Sequence, residues 1–511
     1  MNDSKKQNFL NLTSNLLALI IQFSINFLII PKIISNFGTE AVGYVNISTD
    51  ITSYFSVFTI VFNSVAGRFI SIEINKGNSQ KATEYLNSVI AANAVLSAII
   101  ALAGIIFIPN AERFLNITPQ YVNEVKLTFL ITWISFIISV MTSVFTVGTY
   151  VKNKLDVNAV RNIISYLLRV VAIVILFTCL PMKIYFMPFA TLISTIFLAF
   201  ANFSLTKKYL PELKLGLKYA KLQSIKEIAS SGIWMSFISL SNILIRGLDN
   251  VIANLMFDQV AMGNLSTSRT IPNAITTIIN TVGTIFTPTF VYYYSQNKIN
   301  DIVEQAKKSI RINGLILLVP VSGVIGFAQP FYSLWLKDTD PATVKTIILL
   351  SSITVVQAYF NSSTSALSQL SVVTNKLKLP VFVSFGAGIL NIIAVLIVAK
   401  TTNLGVLTLS LTSTVIMSCR YIFFNSWYAA KVLNTKSKYF YKTLLKTLSP
   451  IPLLLAFYFF VANRVVLNSW LKLIVVCGIC GIIGYIISGL IILPKQDIKD
   501  IFNKIRSKIK N

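Results

Sequence analysis

The sequence predicts an all-α integral membrane protein of about 14 transmembrane helices, arranged as two pseudo-symmetric six-helix lobes plus two C-terminal helices, with the N and C termini cytoplasmic. Three observations carry that expectation. The 511 residues are 54% hydrophobic and only 12% charged, with a mean hydropathy of +0.71. A soluble chain of this size carries about 25% charged residues to meet water, so lipid must solvate much of this one. Apolar stretches of membrane length recur from one end to the other. The basic residues collect in alternate connections between them.

The charge balance is lopsided, with 44 Lys and Arg against 18 Asp and Glu, a formal +26. In a soluble protein that excess would indicate nucleic-acid binding. Here the basic residues sit between membrane-length runs, which points to the anionic inner leaflet and away from nucleic acid. The chain has no His, which removes the commonest metal ligand and general base. Its four Cys (Cys179, Cys419, Cys477 and Cys480) all lie in apolar segments. Cys477 and Cys480 have CxxC spacing but read as small apolar packing residues. Lys5 and Lys6 precede an apolar stretch too long for a signal-peptide core and without a small-x-small cleavage site, so it reads as a first membrane helix.

A spanning helix needs roughly 20 mostly apolar residues. That window yields segments 9–34, 43–70, 86–108, 126–151, 163–181, 184–206, 228–256, 263–293, 312–336, 344–374, 380–399, 404–429, 447–466 and 470–493. An even number places both ends on one side. The N-terminus, the tail and the alternate connections hold 31 Lys and Arg, including Arg161, and the opposite connections hold 9. By the positive-inside rule the first set is cytoplasmic. The connections are short, which leaves no room for a soluble catalytic domain. The basic linker 207–227 divides the chain into an N-lobe (1–206) and a C-lobe (228–430), followed by a terminal pair of spans and basic tail (431–511).

The lobes look related. SNFGTEAVGYVNIST (35–49) leads into the second span and NLMFDQVAMGNLSTS (254–268) into the eighth, with Gly43 matching Gly263. Six spans separate the copies, and an even number preserves orientation, so the repeat is parallel. The tail places Ile498, Ile501, Phe502, Ile505 and Ile509 on one helical face with lysines opposite, the pattern of a helix lying on the inner leaflet.

Lipid-facing helices have no use for polar stripes, so the stripes mark helices that meet water or each other. Asn11, Asn15, Gln22 and Asn26 share about 60° of the first span. Asn46, Asp50 and Ser53 share a face of the second, and Ser239, Asn242, Arg246 and Asp249 one of the seventh. Arg269, Asn273, Thr276, Asn280, Thr284 and Thr287 line the eighth, and Gln357, Asn361, Ser365 and Ser368 the tenth. Together they predict a shared hydrated cavity.

Arginine at mid-bilayer costs about 2.5–3.5 kcal/mol on insertion scales, so Arg169, Arg246, Arg269 and Arg420 need compensation. Asp249, three residues after Arg246, is placed to pair with it. The others have no carboxylate one turn away. Guanidinium groups facing a cavity predict an anionic ligand, phosphate being the natural fit. Asp338-Thr339-Asp340 matches a DxD pattern but reads as an outer surface turn, and no GxxxxGK[ST] occurs. Transport would then run on ion gradients, membrane potential or substrate supply, with no cofactor.

FLIIPKIISNFGTEAVGYVNIS (27–48) and LDNVIANLMFDQVAMGNLS (248–266), within this architecture, resemble the polysaccharide transporter (Wzx-like flippase) family of the multidrug/oligosaccharidyl-lipid/polysaccharide exporter superfamily. Pro31, Gly38 and Gly43 at the first outer turn and Asp249 on the seventh span carry the local likeness; Asp258 stands where a glycine often does. The resemblance implies a non-enzymatic flippase of the bacterial cytoplasmic membrane. Its substrate would be undecaprenyl-pyrophosphate-linked repeat units for O-antigen, capsule or exopolysaccharide, with polymerase and chain-length machinery as partners. An alternating-access cavity between the lobes would hold the pyrophosphate on Arg246, Arg269, Arg169 and Arg420. Asn26, Gln22, Asn273, Asn280, Gln357 and Asn361 would meet sugar hydroxyls, and Asp50 and Asp249 a coupling cation. A cation-coupled multidrug exporter and a lipid II flippase are the rival readings. The first would have a carboxylate- and aromatic-lined cavity and usually twelve spans. An oligosaccharide polymerase would carry a large outer loop, absent here.

Overall fold

A computed structural model describes Ile21 and residues 23–494. Asn11, Asn15, Gln22 and the tail face from Ile498 to Ile509 lie outside the described residues. Among those described there is no strand, and 13 helices are long and apolar enough to cross a membrane. We label the helices α1 to α14. The shorter α1 (Phe23–Phe37) is followed by α2, 39–75, which bends between Thr39–Tyr54 and Ser56–Asn75. Next come α3 (Ser79–Phe114), α4 (Pro119–Val151), α5 (Asp156–Cys179), α6 (Phe186–Tyr209) and α7 (Leu222–Met256). Then follow α8 (Gln259–Ser295), α9 (Ile299–Gly326), α10 (Pro341–Val373), α11 (Lys378–Thr401), α12 (Leu407–Val432), α13 (Lys438–Arg464) and α14 (Trp470–Ile492).

The helices outrun the apolar windows at the predicted cytoplasmic ends. α9 begins at Ile299, 13 residues before the window at 312, and carries Lys307, Lys308 and Arg311 in the extension. An apolar window marks where hydrocarbon begins, whereas a helix ends where a cap stops it. Arg161 is a correction of the same kind. It is no loop cation but a buried residue of α5, 8% exposed, donating to the Asn202 Oδ1 on α6 and to Asn162.

The caps repeat. The connections α2–α3, α4–α5, α8–α9, α10–α11 and α12–α13 each turn on one left-handed residue: Gly77, Asn153, Asn297, Asn375 and Asn434, with φ between 51° and 76°. In each, the following amide reaches back five residues to a helix carbonyl. Examples are Lys154 N to Thr149 O at 2.8 Å, Lys298 N to Tyr293 O at 3.0 Å and Lys376 N to Ser371 O at 2.9 Å. This is the Schellman motif, in which asparagine substitutes for glycine because its short polar side chain tolerates positive φ. All five turns lie on the side assigned to the cytoplasm by charge.

The chain forms two compact units, Met1–Thr267 and Ser268–Asn511. The boundary falls inside α8, beyond the linker at 207–227. Within the first unit, the inner half of α2 packs against α7 and α3, and α6 packs against α4 and α5. Within the second, α10 packs against α9, α12 and the Thr270–Thr284 stretch of α8, and α9 also packs on α13 and α14. The units are turned inside out relative to a soluble protein. On α3, Val95, Ile99, Leu102 and Ile106 are exposed at helical spacing, while Asn87, Asn93 and Ser97 are buried. Asn93 closes a triad between α2, α3 and α4, donating 3.1 Å to Asn63 Oδ1, which also accepts 2.7 Å from Ser143.

Helices without a hydrophobic drive toward each other associate through small residues that let backbones approach. At the α2–α7 seam a side chain on Gly232 would overlap the Val61 carbonyl, and Ser236 donates 2.6 Å to the Val57 carbonyl. The two repeat-marking glycines meet each other. A Cβ on Gly43 would lie 3.1 Å from the Gly263 Cα, and a Cβ on Gly263 would overlap the Thr39 carbonyl. Gly263→Ala is therefore expected to destabilise the protein by about 1–3 kcal/mol. Gly478→Ala, where an added Cβ meets nothing within 4 Å, should stay within about 0.5 kcal/mol. Thermal unfolding in detergent compares the two.

Candidate functional site

In the first unit the bend of α2 faces an interruption in α7. A π-helical stretch, Ile243–Gly247, is followed by a reset at Leu248, and the α-helix resumes at Asp249. Tyr54 donates 2.7 Å to the Gly247 carbonyl, and the carboxylates of Asp50 and Asp249 both act electrostatically on the Tyr54 hydroxyl. Asn250 donates 2.7 Å to Asp50 Oδ2 and accepts 3.0 Å from Ser266 of α8. Asp249 and Asn250 are buried, and Asp50 is half-buried. The two residues expected to serve a coupling cation, one on α2 and one on α7, thus share a tyrosine, beside a main-chain carbonyl and an amide. Asp50 accepts from the Asn250 amide nitrogen, so the carboxylates of Asp50 and Asp249 are the groups here that could take up a proton or a cation. One turn further along α7, Asn254 pins the α3–α4 connection, accepting 2.8 Å from the Asn116 amide and donating 2.9 Å to the Asn116 carbonyl.

The arginines divide. Arg246 lies within the π stretch, half-buried, and its side chain makes no hydrogen bond or ion pair with any described residue. The expected pairing with Asp249 is not formed. A three-residue step leaves side chains about 60° apart on an α-helix, but the wider π turn carries them further round. Arg169 on α5 is half-buried, its Nε unpartnered among the described residues. Arg269 sits half-buried at the cap position preceding Thr270–Thr284. Arg420 opens a second π stretch, Arg420–Asn425 in α12, where its guanidinium lies 5.9 Å from the Tyr421 ring centre. Isolated π turns in long helices concentrate at functional sites. Both found here carry an arginine that the sequence marked, and neither leaves a sequence signal.

In the second unit, α8 presents Asn273, Thr277, Asn280 and Thr284 as exposed side chains, while Ile271, Ile275, Ile279 and Gly283 are buried on the opposite face. Gln357 and Asn361 of α10 are placed otherwise. They are 5% and 8% exposed, packed inside the helix bundle, and Gln357 Oε1 has no partner among the described residues. Asn26 of α1 is half-buried. The sequence reading did not anticipate an apolar cavity of about 320 Å³ lined by Ile271, Val319, Phe327, Tyr458, Cys477 and Tyr485. Gly323 and Gly481 also line it, and each leaves open space where a side chain would be. Two further readings find plain structural roles: Asp258 caps α8 by accepting 2.6 Å from Ala261 N, and Asp340 caps α10 by accepting 3.0 Å from Thr343 N.

Polar groups held at membrane depth in a bundle of apolar helices define a multi-pass membrane protein, and the fold is that of the MOP-superfamily transporters. A solved inward-facing multidrug resistance MATE transporter of that superfamily superposes with a TM-score of 0.66 at 12% identity, covering 81% of this chain and 99% of its own. The lipid II flippase MurJ, in an inward closed conformation, gives 0.58 at 14% identity over 92% and 98%. Residues 9–294, more than half of the chain, match the family described as polysaccharide biosynthesis protein, and the chain belongs to that family. The uncharacterized membrane protein EpsK of Bacillus subtilis (strain 168) is 26% identical over 442 residues, 86% of each chain.

Asn254→Ala removes the two side-chain bonds to the Asn116 backbone and leaves only the Asn116 side chain bonded to the Asn254 carbonyl. The expected loss is about 1–3 kcal/mol of stability, read as a lowered unfolding temperature in detergent.

Proposed function

We propose that the protein is a flippase of the bacterial cytoplasmic membrane, moving undecaprenyl-pyrophosphate-linked oligosaccharide repeat units outward by alternating access through a cationic cavity. One observation carries this reading. The exposed amides and hydroxyls of α8 (Asn273, Thr277, Asn280 and Thr284) follow directly on Arg269. Such a face is costly against hydrocarbon. Against water it offers hydrogen bonds to sugar hydroxyls next to a guanidinium suited to phosphate. Arg246, half-buried and without an ion pair among the described residues, supplies a second cation on α7. Arg169 and Arg420 extend the basic set. The apolar cavity of the second unit has the chemistry to shelter part of a prenyl chain.

An inside-negative potential favours outward movement of an anion by about 2.3 kcal/mol per charge per 100 mV. Asp50 and Asp249, gathered at Tyr54, are the groups through which a cation would reset the empty carrier. They are also what a cation-coupled drug exporter would use, so the two readings part at the arginines.

Arg246→Ala and Arg269→Ala should each cut surface polysaccharide at least tenfold at normal expression, with lipid-linked repeat units accumulating on the inner leaflet. Wild-type polysaccharide in both variants would refute the binding assignment. Asp50→Asn should slow turnover and flatten its dependence on an imposed ion gradient, measured in proteoliposomes with a fluorescent lipid-linked sugar.

A further inference from the structure

The basic linker between α6 and α7 has two sides that do different work. Its inner side is clasped to the predicted cytoplasmic end of α3. Asn87 donates 2.7 Å to the Lys214 carbonyl and accepts 2.9 Å from the Gly216 amide. Ser88 accepts 2.9 Å from the Lys221 amide. Lys221 Nζ reaches Glu84 at 2.5 Å, and Tyr85 donates 2.6 Å to Glu227. Lys81 adds ion pairs to Glu84 and Glu227 at 3.5 and 3.8 Å. Leu210 is 1% exposed and belongs, with Leu213 packed against it, to the core formed by α2, α3, α4 and α7. These contacts engage Lys221, Glu84 and Glu227.

The outer side is left with Lys207, Lys208, Lys214, Lys218 and Lys226, all exposed, against Glu212. Among them stand Leu215, Leu217 and Leu222, which are 47%, 71% and 68% exposed. Three exposed leucines thus alternate with exposed lysines within one short segment. The pattern is that of a segment at a headgroup boundary, with apolar side chains in the acyl region and cations on phosphates. Position agrees, because Lys207 and Lys208 close the last turn of α6 and the segment returns to the bilayer at Leu222.

We infer that the linker is a docking element for anionic phospholipid headgroups of the inner leaflet, held in shape by the α3 clasp. Charge complementarity selects an anionic over a zwitterionic surface. The three leucines select a lipid surface over a soluble acidic partner. The inference does not depend on what the protein transports.

The test uses the full chain in nanodiscs, with the four native cysteines replaced and Leu217→Cys carrying a polarity-sensitive fluorophore. In phosphatidylglycerol-containing discs the emission should be blue-shifted and quenched by spin-labelled acyl chains. High salt should reverse both effects, since headgroup contacts are screened within a Debye length. In pure phosphatidylcholine discs the fluorophore should report water. Combining Lys207→Gln, Lys208→Gln, Lys214→Gln and Lys218→Gln should abolish the shift. Titration of the solubilised protein with short-chain phosphatidylglycerol should show apparent affinity falling roughly fivefold per lysine removed. Water-like emission in phosphatidylglycerol discs would overturn the inference. So would an equal shift in both lipids, or a shift that needs added cytosolic protein. If the fourfold variant does not fold, the salt titration on the chain with all its lysines decides.

Discussion

Every polar atom carried into hydrocarbon has to find its partner inside the protein or bring water with it. The backbone meets that demand by being helical. The side chains meet it by pairing across seams: Asn63, Asn93 and Ser143 join three helices, Ser236 finds the Val57 carbonyl, and Asp50 finds Asn250. Since lipid tails are as apolar as leucine, burying more leucine would not bring these helices together. Small residues and satisfied polar groups do, and that leaves the large aliphatic side chains free to face the membrane.

The same demand explains why the π stretches matter. Where α7 passes through Ile243–Gly247 and α12 through Arg420–Asn425, the regular ladder loosens and main-chain carbonyls turn aside. Tyr54 takes up one of them, at Gly247. An arginine rides on each of these widened turns, so cation and backbone irregularity arrive together. Regular α-helix would place Arg246 over Asp249 and neutralise it. The π turn carries the two side chains further apart around the helix axis.

Much of this was legible in the sequence, and its limits are physical. Hydropathy located the apolar cores of the helices but not their ends, because caps rather than lipid terminate them. The turns on the lysine-rich side did leave a mark: asparagine just past a helix and next to or near a lysine (Asn153, Asn297, Asn375 and Asn434), which reads as a left-handed cap once the geometry is known. Helical periodicity grouped Asn273 with Asn280, both exposed, and Gln357 with Asn361, both buried. It could not distinguish a face left exposed, as on α8, from one that meets other helices, as on α10. Arg161 was counted among solvated cations because it lies near Lys152 and Lys154, and only the fold reveals that Asn202 holds it below the surface. Carboxylates on α2 and α7 converging at Tyr54 are a matter of tertiary structure, beyond any local pattern.

The contact between Gly43 and Gly263 joins two positions descended from one ancestral position, if the lobes arose by duplication. Before the genes fused, a single glycine would have faced its own copy across a dimer. After fusion the two became separately mutable, yet each is held by its own neighbours, a side chain on Gly43 meeting Met262 and Gly263 and one on Gly263 meeting the Thr39 backbone. Both positions are therefore expected to stay small, and a chain that admits alanine at either should show a compensating displacement of the opposing backbone. The internal duplication would then be recorded in this constraint long after the rest of the repeat has faded.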